Sequence, residues 1–147
     1  MPVFLTKNLT PEEYLALRAA AGWRDVGMKK AVRILKRADL LVCARTGEGK
    51  PAGMARLYSD GGCHFVIDDV IVLPEYRRQG IAQRMVETLI AHVQTSLAEE
   101  ETAMILLFSS PGKEPFYQRL GFLPRPGPGV GAGMYQWLTR DTRGIAE

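Results

Sequence analysis

The chain has 147 residues, 46% apolar and 24% charged: enough for one sizeable core and too hydrophobic for a disordered chain. A formal net charge of +3 permits an anionic ligand and is too mild to argue for nucleic acid. Two scattered cysteines, Cys43 and Cys63, and two histidines give neither a disulfide framework nor a metal site. No stretch has the length of a membrane span, and the first residues show no basic segment followed by an apolar run. The expectation is a single domain over 1–147, soluble and cytoplasmic, without a membrane or nucleic-acid partner.

In chain order, Val3, Phe4 and Leu5 begin a short strand. Thr10-Pro11-Glu12-Glu13 is a helix start, with Thr10 as cap, Pro11 in the first turn and Glu13 three residues past the cap. That helix runs to about Ala21 and stops at Gly22. A second, basic helix is predicted over 29–37, its apolar side made by Ala31, Ile34 and Leu35. Its cations, Lys29, Lys30, Arg33, Lys36 and Arg37, read as a solvated face.

Residues 40–45 and 52–58 form a hairpin around Thr46-Gly47-Glu48-Gly49-Lys50-Pro51. A long strand rich in β-branched residues follows over 64–72. From Gly80 to Leu97 the apolar residues Ile81, Met85, Val86, Leu89, Ile90, Val93 and Leu97 recur with helical period. A strand over 103–108, a short helix ending at Gly121, a Pro/Gly-rich loop over 124–133, a last strand over 134–138 and a loose tail from Asp141 complete the reading. Hairpins first and βαβ crossovers later make an α/β fold, a mixed sheet with helices on its faces.

Two stretches carry chemistry. Pro74 stops the strand, and Arg77-Arg78-Gln79-Gly80 leads at once into the helix. The first turn of a helix has amide groups without internal partners, and its dipole favours negative charge. Gly80 lets a ligand approach the backbone, and Arg77 and Arg78 add cations. By spacing alone this is a diphosphate cradle or a solvated turn; with one glycine it is not the dinucleotide fingerprint. The second stretch is Asp68-Asp69 inside an apolar strand. Strict alternation puts the two carboxylates on opposite faces, and burial there is costly unless each meets a cation or water.

Val72-Leu73-Pro74-Glu75-Tyr76-Arg77-Arg78-Gln79-Gly80-Ile81-Ala82 resembles the acyl-CoA binding motif of the GCN5-related N-acetyltransferase (GNAT) superfamily, matched at Arg77, Gly80 and Ala82. Pro115-Phe116-Tyr117-Gln118-Arg119-Leu120-Gly121-Phe122 resembles a second motif of that superfamily. The likeness covers about residues 40–122.

The resemblance implies the following. The fold is the acyl-CoA N-acyltransferase sheet, with the strands at 64–72 and 103–108 splayed by a bulge at 70–72. The amides of Arg77, Arg78, Gln79, Gly80, Ile81 and Ala82 hold the pyrophosphate of acetyl-CoA. The main chain of Ile71 and Val72 pairs with the pantetheine arm, Phe116 packs behind the cofactor, and Tyr117 protonates the departing thiolate. Relatives often carry Asn where Ser109 or Ser110 stands, so the side-chain contact to pantetheine is either weaker here or made by a hydroxyl, with Ser110 assigned to it. Position 78 is usually small or glycine in close relatives, and Arg78 departs from this.

An acidic pair at the place of Asp68 and Asp69 marks the branches that act on small amines. Asp69 is assigned as base or relay and Asp68 as the anion of the acceptor site, with His64 a competing base. The activity implied is direct transfer of acetyl from acetyl-CoA to the primary amine of a small molecule. A protein lysine or N-terminal acceptor, or a catalytically silent acyl-CoA sensor, are the alternatives. The resemblance implies that the last strand pairs either within the subunit or across a homodimer.

Overall fold

A computed structural model describes residues 2–145. They fall into two compact units that divide between Phe108 and Ser109. Among the described residues no helix is long and apolar enough to cross a membrane.

The first unit is a five-stranded sheet in the order β1-β2-β3-β4-β5, made of β1 (Val3–Thr6), β2 (Leu40–Thr46), β3 (Pro51–Ser59), β4 (His64–Val72) and β5 (Met104–Leu107). The first four strands pair antiparallel and β5 joins β4 in parallel. Three helices flank it: α1 (Pro11–Ala20), α2 (Met28–Arg37) and α3 (Ile81–Ser96). This is the mixed sheet with helices on its faces that the sequence implies.

α1 begins as its residues dictate. Thr10 Oγ1 accepts the Glu13 amide at 3.1 Å, and Glu13 Oε2 accepts the Thr10 amide at 3.2 Å, closing a capping box. Tyr14 and Leu17 then turn inward with Ala31 of α2 onto Met54 and Ile71 of the sheet. α3 lies against β2, β3 and β4 and buries Ile81, Met85, Val86, Leu89 and Val93, the stripe its period predicts.

The second unit contains α4 (Glu114–Arg119) and a two-stranded sheet of β6 (Trp137–Leu138) and β7 (Arg143–Ile145). Two expectations are corrected here. The last strand does not begin at Met134: Met134 and Tyr135 stand outside it, 89% and 88% exposed. The tail beyond Asp141 is not loose as far as Ile145, since it supplies β7. A β-prone composition becomes a strand only where a partner lies beside it, and only Trp137 and Leu138 meet one.

Candidate active site

β4 and β5 pair from His64–Met104 to Ile67–Leu107. β4 then continues to Val72 while β5 ends at Leu107. The strands part at this point, and Asp68 is the first β4 residue past the last pair. Opposite, β3 presses close: a Cβ on Gly53 would lie 2.5 Å from the Ile71 carbonyl oxygen. Only glycine fits there without moving backbone.

Within β4 the register shifts. Met54 pairs with Ile71 and Arg56 with Asp68, so Ala55 faces both Asp69 and Val70. The bulge is thus centred earlier than the expected 70–72. Its first residue, Asp69, has φ +52°, a left-handed step that glycine usually occupies in such bulges and that Asp tolerates better than most. The bulge defeats simple alternation, and both carboxylates meet one guanidinium. Arg56 Nε donates to Asp69 Oδ2 at 2.8 Å, and Arg56 Nη2 donates to Asp68 Oδ2 at 3.1 Å.

Asp69 is 3% exposed. Besides Arg56 it accepts Tyr14 Oη at 2.7 Å and Arg18 Nη1 at 2.9 Å. Arg18 is held between the rings of Tyr14 and Trp23, 5.7 Å and 5.4 Å from their centroids. Both Asp69 oxygens are therefore taken, and the side chain is closed off from solvent, so an acceptor amine does not meet it directly. This corrects the assignment of Asp69 as base or relay. Burial raises the Tyr14 phenol above its ordinary range, and its hydrogen bond to Asp69 adds to the effect.

Asp68 differs. Its side chain is 47% exposed. Its Oδ1 accepts the Asp69 amide at 2.8 Å. Desolvation raises its pKa, the charge of Asp69 adds to the rise, and Arg56 and Arg18 oppose it. A carboxylate so tuned takes a proton more readily than an ordinary aspartate. His64 stands at the other end of β4, exposed, with Nδ1 3.5 Å from Asp60. It is not among the residues gathered at the opening.

Beyond β4, Pro74–Tyr76 form one turn of 3-10 helix and the chain enters α3. Arg78 and Gly80 have φ of +63° and +72°. The first bond from the body of α3 back to its start is Arg84 N–H to the Gly80 carbonyl at 3.1 Å. Among the described residues the amides of Arg78, Gln79, Gly80, Ile81, Ala82 and Gln83 have no partner in the chain. Alternating left-handed steps at a helix start turn such amides into a concave anion site. That set of donors fits a diphosphate.

Two details depart from expectation. The Arg77 amide already donates to the Pro74 carbonyl at 3.3 Å, so the free amides start at Arg78. The Arg77 side chain reaches back, Nε donating to the Val72 carbonyl at 3.2 Å, and ties the loop to the end of β4. The positive φ also explains the small residue expected at position 78: Arg78 carries a side chain where glycine is unstrained.

In the second unit, Tyr117 lies on α4, edge-on to Phe116 at 4.9 Å and to Phe122 at 6.0 Å between ring centroids. Burial raises its phenol pKa. Ser110 is exposed, and its carbonyl accepts the Lys113 amide at 3.0 Å.

Sequence reasoning missed Tyr14, Arg18 and Arg56 as partners of the acidic pair. A signal was available. A buried carboxylate demands a cation, and Arg56 sits at an inward-facing position of an otherwise apolar strand.

A family model for the acetyltransferase (GNAT) domain matches residues 36–124. An uncharacterized N-acetyltransferase, ycf52, from Pyropia yezoensis is 31% identical over 137 residues, which span 91% of this chain and 75% of that protein. GCN5-related N-acetyltransferase 2, chloroplastic, from Arabidopsis thaliana is 39% identical over 79 residues, 54% of this chain and 29% of that protein. A solved structure from meticillin-resistant Staphylococcus aureus, described as a probable acetyltransferase, superposes with a TM-score of 0.80 at 27% identity, covering 91% of this chain and 98% of that one.

Proposed function

Because the chain belongs to the GNAT acetyltransferase family, whose activity is acetyl-CoA-dependent acyl transfer, we propose that it carries an acetyl group to the primary amine of a small molecule. The observation that carries this reading is Asp68: a partly exposed carboxylate of raised pKa at the position where β4 leaves β5.

Bound acetyl-CoA would supply a thioester carbonyl open to attack by a neutral amine. The free amides of residues 78–83 bind its diphosphate, and the main chain of Ile71 and Val72 aligns the pantetheine arm. Asp68 draws the acceptor's ammonium and accepts its proton, directly or through one water. Tyr117 is assigned as proton donor to the departing thiolate on the strength of its motif. An ordinary phenol is already protonated at neutral pH, and burial moves its pKa further up.

The test is CoA release measured with a panel of small primary amines. Turnover with one or more of them is expected. Tight acetyl-CoA binding without release across the panel would make the chain a sensor instead. In Tyr117→Phe, kcat is expected to fall about 10²- to 10⁴-fold, the range for losing a general acid, with the acetyl-CoA Kd unchanged. Full turnover in that variant removes Tyr117 from the mechanism.

A further inference from the structure

The buried carboxylate of Asp69 has three donors and, in the reading above, no part in the chemistry. Two donors come from α1, Tyr14 and Arg18, one turn apart, and the third from β3, Arg56. All converge on the one non-glycine residue of β4 with a left-handed φ. Such a conformation persists only where its surroundings over-determine it. A regular β4 would also move Asp68 to a different register and face.

We propose that Tyr14, Arg18 and Arg56 are positioning residues for acetyl transfer, acting through Asp69 to hold the bulge that frees β4 from β5 and to fix Asp68 at the opening. This rests on the assignment of Asp68 as proton acceptor.

The coupling to Asp68 is direct. Arg56 bridges the two carboxylates, Nε on Asp69 and Nη2 on Asp68. The other Asp68 oxygen accepts the amide of Asp69 itself. Both oxygens of Asp68 are thus oriented by groups that Asp69 locks in place. The capping box sets where α1 starts, and Leu17 anchors the helix in the core between the two clamp residues. Two carboxylates face two guanidiniums, so the buried charge of Asp69 does not lack a counter-charge. The charged and titratable groups facing Asp68 are Arg56 and Tyr58 from β3, Arg18 from α1 and Asp69 from β4.

The test uses Tyr14→Phe, Arg56→Gln and Asp68→Asn in the full chain, with the panel amine of highest turnover. Each variant is followed by thermal midpoint, by kcat and acetyl-CoA KM, and by the pH profile of kcat/KM. In Tyr14→Phe and Arg56→Gln, kcat is expected to fall about 10- to 100-fold, the size of a small misplacement of a reacting group, with KM for acetyl-CoA unchanged. Arg56→Gln removes a cation beside Asp68, so the acid limb of the profile shifts to higher pH; loss of folded protein alone would leave that limb in place. Should Arg56→Gln fail to fold, Tyr14→Phe, which removes only a neutral hydroxyl, decides through the split between kcat and KM.

Folded Tyr14→Phe and Arg56→Gln with wild-type kcat, while Asp68→Asn is impaired, would overturn the clamp and leave the role of Asp68 standing. Wild-type kcat in Asp68→Asn would overturn both.

Discussion

In Gly80→Ala a methyl group enters a position whose φ is +72°, with no neighbouring atom within 4 Å of the new Cβ. Free of clashes, the protein loses stability only through the backbone. A residue with a Cβ pays about 1–2 kcal/mol in the left-handed region. The stiffer unfolded chain returns about 0.4–1 kcal/mol. A net loss of about 1 kcal/mol lowers the thermal midpoint by about 2–4 °C in a chain of this size.

Affinity is a separate matter. The methyl stands beside the free amides where a diphosphate would rest. Losing one hydrogen bond to a charged group costs about 1.5–3 kcal/mol, so Kd for CoA rises about 10- to 100-fold. Thermal denaturation without ligand reads the first effect, and titration calorimetry with CoA and acetyl-CoA reads the second. Gly80→Asn separates them, since Asn tolerates the left-handed region: most of the stability returns and the affinity does not. A Gly80→Ala protein that binds CoA as tightly as wild type would refute the cradle.

Two further outcomes are expected. Gly53→Ala places a Cβ 2.5 Å from the Ile71 oxygen and 3.2 Å from the Val72 Cα, so β3 and β4 must separate. A loss of about 1–3 kcal/mol by chemical denaturation, with a raised KM for acetyl-CoA, is the prediction, and unchanged stability would contradict the close approach. Asp60 has its pKa lowered from 3.8 to about 2 by the amides of Gly62, His64 and Cys63. The stability it adds is complete above its ordinary pKa and is lost as the pH falls through about 2. The thermal midpoint of Asp60→Asn should therefore fall less steeply with acid between pH 3.8 and about 2 than that of wild type, and identical slopes would count against it.

Much of this was legible in the residues because the physics is local. The capping box needs only Thr10, Glu13 and one helical turn. Gly80 at the entry to α3 follows from a strand stopped at Pro74 and an apolar stripe that starts at Ile81. The stretch from Met134 was misread because its composition suits a strand while pairing requires a neighbour. Only Trp137 and Leu138 had one in β7.

The acidic pair shows the same boundary more sharply. The sequence alone determined that two adjacent carboxylates lie in an apolar strand just before a phosphate-binding turn, and that they need cations. It could not assign their roles, since alternation assumes a regular strand. Only the tertiary structure tells the two apart: residues 13 and 51 positions away, Arg56 and Arg18, close on Asp69 where β4 bulges, while Asp68 stays partly open to solvent. The long-range contacts meet the bulged backbone at Asp69, and with that conformation one carboxylate is buried and the other stays open to solvent.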